Sequence, residues 1–480
     1  MSLAGKSTRG ALFLSASSVI NIAIGFVGGI LLARLLSPAD FGTFSLATTI
    51  MAFIDIRTKL QLEQKFLRDQ ADHADYFNTF FTLICGITAF SSVVLFMAGL
   101  VAFSLQKPDL AGCLIAMGAM YLLDPYPTAI RVSIEQKVAF RAISMIQTIT
   151  SVAQFVTTFL CALAGLGLWS LLAGPAVSSL LNFALYARIA PKRPKFQLKR
   201  GLVHDFLRFG FKYGITTYYA TTVLTQGDNL VVGILGGTTA LGFYDRAYRT
   251  ASWPIILVST TLGRITLPTY SQLQDDTSRL AKAFGIVLWV VFTFATPISL
   301  IFLLTAPELV LVLYGAKWLP TAPILRTLAI FAVCRPLLDN TFSILLAMNR
   351  PGQLARWLVV AAIIMMVIIV PLTALYQGVG AAIGSGIAFA LLAVLLLRFA
   401  RMQLHTDVWQ LAGKPFMNNV LTAVGYVLLQ PYLPLSGLSL VAKLIVEASL
   451  ILGLYAVVTW VGSSQATRQQ FSTIWHHLRR

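Results

Sequence analysis

Residues 354–400 read LARWLVVAAIIMMVIIVPLTALYQGVGAAIGSGIAFALLAVLLLRFA, with charge confined to Arg356 near one end and Arg398 near the other. A bilayer core about 30 Å thick needs about 20 apolar residues per helix. The stretch is therefore long enough for two crossings, 354–376 and 378–400. The same pattern fills the rest of the chain, at 10–33, 41–60, 76–104, 109–130, 142–164, 168–190, 211–235, 247–270, 281–304, 321–347, 415–433 and 439–462. No connection between these stretches is long enough to fold by itself. The composition agrees: 57% hydrophobic, 11% charged and a mean hydropathy of +0.78, where a soluble chain carries about 25% charge. The expected fold is an all-α polytopic membrane protein with about 14 transmembrane helices. The first stretch is too long for a cleaved secretory core and has no small-residue cleavage site behind it, so it reads as a retained helix.

The net charge of +18 resembles a nucleic-acid footprint until its distribution is examined. With the N-terminus in the cytoplasm, 28 of the 36 Lys and Arg fall on the inner side. Outside lie Arg34, Lys107, Arg246, Arg249, Lys317 and Arg326, and Arg335 and Lys443 sit within spans. This asymmetry is the positive-inside pattern. It predicts a multi-pass protein with both termini cytoplasmic and no nucleic-acid partner.

Catalytic and metal chemistry find little support. Cys85, Cys113, Cys161 and Cys334 lie inside apolar stretches and read as small buried hydrophobes. The five histidines lack ligand spacing. Gly5-Lys6-Ser7-Thr8 imitates the tail of a phosphate-binding loop but lacks the preceding strand and upstream glycine. The expectation is a protein that is not an enzyme and carries no cofactor, with proton or sodium coupling left open.

The most basic inner connection, about 190–210, divides the first twelve stretches into six and six. The predicted organisation is an N-lobe at 1–200, a C-lobe at 201–404, and a C-terminal hairpin with a cytoplasmic tail at 405–480. Within the connection, GLVHDFLRFGFKYG reads as an interfacial helix, with Phe206, Leu207 and Phe211 toward lipid and Arg208 and Lys212 toward headgroups, or as the first turns of the next span. An internal repeat accompanies the division. LLARLLSPADFGTFSLATT (31–49) lies 200 residues before VVGILGGTTALGFYDRAYR (231–249), so that Phe41-Gly42-Thr43-Phe44 aligns with Leu241-Gly242-Phe243-Tyr244. Parallel repeats of this kind place a site at their interface.

Ionisable groups inside a span are costly and usually face protein or water. Arg335 and Asp339 are four residues apart on one helix face, beside Pro336. They read as a cationic cavity group with an acidic partner, or as a buried structural pair. Asp124, just before Pro125, and Asp228, beside Gln226 and Asn229, are candidates for proton or cation coupling, or for capping broken helices. Arg246 and Arg249 with Arg264 form a basic track, unless the first two snorkel to the surface. Asp55 with Arg57, and Lys443 with Glu447, read as interfacial pairs.

The stretches LLARLLSPADFGTFSLAT and TQGDNLVVGILGGTTALGFYDRAYR resemble the paired signatures of bacterial polysaccharide-biosynthesis flippases of the Wzx/WzxC type, in the multidrug/oligosaccharidyl-lipid/polysaccharide exporter superfamily. The chain departs from that pattern at FIDIRTKLQLEQKFLRDQ, where the family continues with a small-residue turn. The resemblance implies two six-helix lobes in a V-shaped, MATE-like arrangement, with a C-terminal helix pair appended. It implies a bacterial inner-membrane protein that moves undecaprenyl-diphosphate-linked oligosaccharide to the outer leaflet, with membrane lipid around it and a polysaccharide polymerase and chain-length proteins as partners. Gln226, Asp228 and Asn229 fall on the family's polar stretch, and Gly242, Tyr244 and Arg249 on the following turn. A cavity for such a substrate needs cations for the diphosphate, which Arg335, Arg264 and Arg249 would supply, and aromatic groups for sugars, which Tyr218, Tyr219 and Tyr244 would supply. The competing expectations are a multidrug exporter of the same superfamily, which would favour an acidic cavity, and a membrane polymerase or ligase, which would need a large outer loop.

Overall fold

The computed structural model describes residues 21–69, 74–136, 140–191, 193–331, 334–406, 413–433 and 437–462, with side chains for all of these except 212–213, 254–265, 335–336, 338–339 and 341. Among the described residues every regular element is a helix. In chain order these are α1 (Asn21–Leu35), α2 (Pro38–Ile54), α3 (Ile56–Lys59), α4 (Leu62–Asp69), α5 (Ala74–Ser104), α6 (Pro108–Tyr121), α7 (Pro125–Gln136), α8 (Phe140–Leu163) and α9 (Leu168–Ile189). They continue as α10 (Arg200–Phe209), α11 (Ile215–Leu235), α12 (Gly237–Gln272), α13 (Thr277–Leu313), α14 (Thr321–Phe331), α15 (Arg335–Ala347), α16 (Pro351–Gln403), α17 (Lys414–Leu429) and α18 (Leu440–Gly462). Among the described residues six helices are long and apolar enough to cross a membrane, and the bent pair α6–α7 makes a seventh when taken as one span. The other apolar stretches are also helical where described; α11 and α12 are long enough but more polar, and breaks shorten the rest. The beginning of the first stretch, Gly5–Thr8 and the tail beyond Gly462 lie outside the described residues.

The breaks have local causes. Ser37 caps α2 through a capping box: its hydroxyl accepts from the Asp40 N–H at 3.2 Å, while Asp40 Oδ2 accepts from the Ser37 N–H at 2.9 Å. Pro38 occupies the first helical position, where no amide donor is needed. α13 kinks at Thr305 (φ −114°, ψ 20°), two residues before Pro307, whose ring removes a donor and crowds the preceding turn. α16 reverses at Gln377, which takes φ 48° and ψ −129°. A Cβ on Gly380 would lie 1.9 Å from the Leu372 carbonyl oxygen, so only glycine permits that tight reversal. Near the far ends of the two arms, Trp357 meets Phe399 edge to face at 6.1 Å. The quoted stretch 354–400 is thus a helical hairpin.

The chain divides into two compact units. One comprises Met1–Asp245 with Met366–Ala381; the other comprises Arg246–Met365 with Ala382–Arg480. In the first unit, α4 and α10 lie against the start of α5. Phe66, Tyr76, Phe80 and Phe206 pack as one aromatic cluster, with Phe206 5.0 Å from Tyr76 and 5.9 Å from Phe80. This corrects the expectation that Phe206 faces lipid. α10 is a separate helix, joined to α11 by the π-turn Gly210–Gly214, and Phe206 is fully buried in protein while Phe211 is exposed. Its apolar face had two apolar environments to choose from, and the aromatic residues of α4 and α5 provided the closer one. The Lys212 side chain lies outside the described residues.

Charge fixes the same layer. Lys65, 2% exposed, reaches Asp69 at 2.8 Å and Asp205 at 2.6 Å. Burial alone would push its ammonium pKa down, but hydrogen bonds to Asp205 and Asp69 outweigh that and raise it. Desolvation likewise acts to lift the Asp69 carboxyl, and hydrogen bonds from Lys65, Tyr76 and Arg68 hold it below the usual range. The basic connection is an extended strap. The N–H groups of Lys195, Gln197 and Lys199 donate to Asn78 Oδ1, Thr82 Oγ1 and Thr79 Oγ1 at 3.0, 2.9 and 3.3 Å. Phe196 and Leu198, on the alternate side, are exposed.

In the second unit, α17 and α18 form a hairpin packed on α13. Leu300, Tyr426 and Ile451 make its core, and Thr296 and Tyr455 share a hydrogen bond at 3.1 Å.

Candidate functional site

Two polar clusters in the first unit gather most of the described candidate residues. The first joins two broken helices. Asp55 leaves the helical conformation (φ −67°, ψ 85°) between α2 and α3. Its carboxylate caps α3, accepting from the Thr58 hydroxyl at 2.8 Å, and Ser91 donates to the Ile54 carbonyl at 3.2 Å, satisfying a group that the break exposes. Between α6 and α7 the path bends by 47° at Leu122–Asp124, where Pro125 supplies no amide. Each break holds an aspartate, and each aspartate is bound from the other helix pair. The Tyr121 hydroxyl donates to Asp55. Arg57 Nη1 donates to Asp124 Oδ2 at 2.5 Å and to Thr128 Oγ1 at 3.3 Å, and its guanidinium lies 5.4 Å from the centre of the Tyr121 ring. Arg57 is buried, while the Asp124 side chain is 43% exposed.

Two further cations extend this cluster. Arg131 pairs with Glu63 at 2.5 Å and with Glu135 at 3.3 Å. Lys59 is buried, with its ammonium 6.0 Å from the centre of the Tyr219 ring. Among the described residues no carboxylate lies within ion-pair distance of it. The charged run 53–70 that departs from the family's usual turn therefore supplies Asp55, Arg57, Lys59, Glu63 and Lys65 to ordered networks. Asp55 and Arg57 are not paired with each other as an interfacial couple; each is bound to the α6–α7 break.

The second cluster is the meeting of the internal repeats. A Cβ on Gly42 would sit 1.6 Å from the Thr238 carbonyl oxygen, and one on Gly242 would sit 1.9 Å from that of Pro38. The two contacts are the same contact taken twice, since 38 and 238, like 42 and 242, are equivalent positions. Deeper along the helices, Ser45 Oγ donates to Asp245 Oδ1 at 3.2 Å, and Thr49 Oγ1 donates to Gln226 Oε1 at 3.3 Å. Gln226 also accepts from Asn229 Nδ2 at 3.3 Å. Asp228, 1% exposed, accepts from the Tyr244 hydroxyl at 2.7 Å and from the Asn229 N–H at 2.8 Å.

Gln226, Asp228, Asn229 and Tyr244 thus come together, while Asp124 belongs to the paired breaks. Arg246 is buried and Arg249 exposed on the next turn of α12. The side chains of Arg264, Arg335 and Asp339 lie outside the described residues. Sequence reasoning did not single out Ser45, Thr49 and Asp245, although the 200-residue offset aligns Ser45 with Asp245. It also passed over a stripe on α11. Thr217, Thr221 and Thr225 recur every fourth residue, and the Thr221 and Thr225 hydroxyls fold back onto the carbonyls of Thr217 and Thr221 at 2.8 and 2.9 Å. Such hydroxyls are internally satisfied yet keep acceptor capacity for a passing ligand.

The helices and their buried polar clusters define a polytopic membrane protein built to hold polar groups within an apolar body. The chain belongs to the polysaccharide biosynthesis protein family, whose profile matches residues 31–323. Over 361 residues it is 26% identical to the lipopolysaccharide biosynthesis protein WzxC of Escherichia coli (strain K12), covering 73% of this chain and 72% of that one. Over 309 residues it is 28% identical to the succinoglycan biosynthesis transport protein ExoT of Rhizobium meliloti (strain 1021), covering 64% and 62%. Its fold is similar to that of the lipid II flippase MurJ in an inward closed conformation, with a TM-score of 0.76 at 13% identity, covering 98% of this chain and all of that one.

Proposed function

We propose that this protein is a flippase that carries lipid-linked oligosaccharide, built on undecaprenyl diphosphate, from the cytoplasmic to the outer leaflet of a bacterial plasma membrane by alternating access. Both termini are cytoplasmic in this reading, and the product passes to a polymerase and its chain-length partners. The sugar–diphosphate head cannot cross hydrocarbon unaided, because buried charge and unpaired hydroxyls are very costly there. Outward movement of an anion is favoured by about 2.3 kcal/mol per charge per 100 mV, so no nucleotide is needed.

The observation that carries the proposal is Lys59, a buried ammonium with an aromatic ring beside it and, among the described residues, no carboxylate at ion-pair distance. A buried cation without a counter-ion is costly unless an anionic ligand completes it. The diphosphate supplies that anion, and Tyr219 and the threonine stripe of α11 face the sugars. Arg264, Arg335, Asp339, Arg246 and Arg249 remain the proposed substrate-binding residues of the second unit. Asp124 and Asp228 remain the proposed coupling carboxylates of the first unit.

The test is a deletion of the gene in its host. The lipid-linked oligosaccharide is assayed for access to a membrane-impermeant lectin or glycosidase in right-side-out spheroplasts. Full-length repeat units accumulating on the cytoplasmic face are the expected result. Units that reach the outer face unpolymerised point to a polymerase or ligase, and unchanged lipid-linked sugars point to small-molecule export.

A further inference from the structure

The C-terminal hairpin contains a group that no transport role accounts for. Glu447, on α18, is 1% exposed, and among the described residues its Oε2 has no hydrogen-bond partner. One turn earlier, Lys443 points toward the same seam. Its ammonium is 2.9 Å from Glu308 Oε1 on α13 and 3.9 Å from Glu447 Oε1. The shorter distance is a hydrogen bond and the longer one is not. Lys443 is therefore committed to Glu308. From α17, Tyr426 presents a single hydroxyl to the Glu447 carboxyl. Arg326 of α14 adds positive charge on the Glu308 side.

Counting charge decides what the seam holds. Two carboxylates face one ammonium across α13 and α18, with Glu308 and Lys443 partly exposed and Glu447 buried. Lys443 and Arg326 both serve Glu308, so an ionised Glu447 would be a buried carboxylate with no cation hydrogen-bonded to it, which an apolar interior strongly disfavours. Close carboxyls of this kind titrate as a pair that holds a shared proton. Here the geometry is asymmetric: Glu308 has the ammonium, and Glu447 has an orphaned oxygen. A metal cation is a poor occupant, because the Lys443 ammonium stands beside the carboxyl and repels it, and the described residues hold no group of three or more acidic, His or Cys side chains fit for a metal.

We propose that Glu447 is a proton-binding site, with its carboxyl protonated while α17 and α18 pack on α13. The site lies in the helix pair outside the repeats and uses neither Asp124 nor Asp228. Glu308 is its organiser: it sits in the first turn after the Thr305 kink of α13 and draws Lys443 away from Glu447.

The test uses the full-length protein in lipid nanodiscs and does not depend on the flippase reading. Infrared spectra are recorded at neutral and alkaline pH, following the carbonyl stretch of protonated carboxyl groups. Wild type should show a band at neutral pH that Glu447→Gln removes and that wild type itself loses on titration to alkaline pH. Glu308→Gln frees Lys443 to pair with Glu447 and should also remove the band, although the Glu447 side chain is still present. If wild type shows no titrating protonated-carboxyl band, the proposal fails, whatever the variants do. It fails equally if the band survives Glu447→Gln, or if Glu308→Gln leaves it unchanged.

Discussion

Ser45 and Asp245 stand 200 positions apart and hydrogen-bond to each other at 3.2 Å, each occupying the place in its repeat that the other occupies in the second. Around them, Gly42 lies on the Thr238 carbonyl and Gly242 on that of Pro38. A contact made of equivalent positions is self-complementary, as in a two-fold interface. If it opens during transport, a covalent bond across it stops the cycle. Ser45→Cys with Asp245→Cys should form a disulfide under oxidation, abolish export, and recover on reduction. Normal export by the cross-linked protein would show that this contact never opens.

Gly242→Ala tests the same surface without a cross-link. Its Cβ would meet the Pro38 carbonyl oxygen at 1.9 Å, so the helices must separate. Overpacking of this kind costs about 1–3 kcal/mol. The expected outcome is a lower melting temperature in detergent, with Gly237→Ala, which has open space around it but a positive φ, affected only through backbone strain.

The paired breaks predict an asymmetric mutant cycle. Removing Arg57 leaves Asp124 without its cation, and removing one partner of a buried pair costs about 3–5 kcal/mol. The 43% exposure of Asp124 reduces that to about 1–3 kcal/mol after solvent screening. Arg57→Ala with Asp124→Ala together should be more stable than Arg57→Ala alone, measured by thermal unfolding. Strict additivity would remove the coupling.

Lys59→Met should separate stability from transport. It replaces a buried ammonium lacking a carboxylate partner with an apolar side chain of similar length, so folding is unchanged or improved. Export should fall at least tenfold if that charge meets the diphosphate. Undiminished export would take Lys59 out of the path.

The α4–α10 layer predicts a pH window. The Asp69 carboxyl is held below its ordinary value. Its contribution is therefore complete above the unfolded value of about 3.9 and is lost only as pH falls through the lower folded value. Lys65 is shifted upward, so its contribution holds below about 10.4 and fades as pH rises through the higher folded value. Hydrogen-exchange protection of residues 62–69 and 200–209 should be flat between these limits and fall outside them. A step near neutral pH would contradict the assignment.

Hydropathy made the helices legible because lipid and helix packing both reward uninterrupted apolar runs. The repeat was legible for a related reason: the 200-residue offset survived without insertion at 31–49 and 231–249. The breaks were not. Asp55 and Arg57 at the end of a span look the same whether they stop a helix at the interface or interrupt it and bind a partner elsewhere, and Tyr121 and Asp124 decide between these from another part of the chain. Phe206 shows the same limit. Periodicity identifies an apolar face but not whether lipid or Tyr76 covers it. Glu447 was visible as an ion pair with Lys443, but the competing claim of Glu308, 135 residues from Lys443, required the folded chain.

A surface that complements its own repeat needs only one copy's worth of information to specify it. Two half-length polypeptides, each bearing the Pro38–Ser45 corner, would have associated through it as twins. Held in one chain, the two copies need not be identical, and here a neutral hydroxyl at 45 faces an acid at 245.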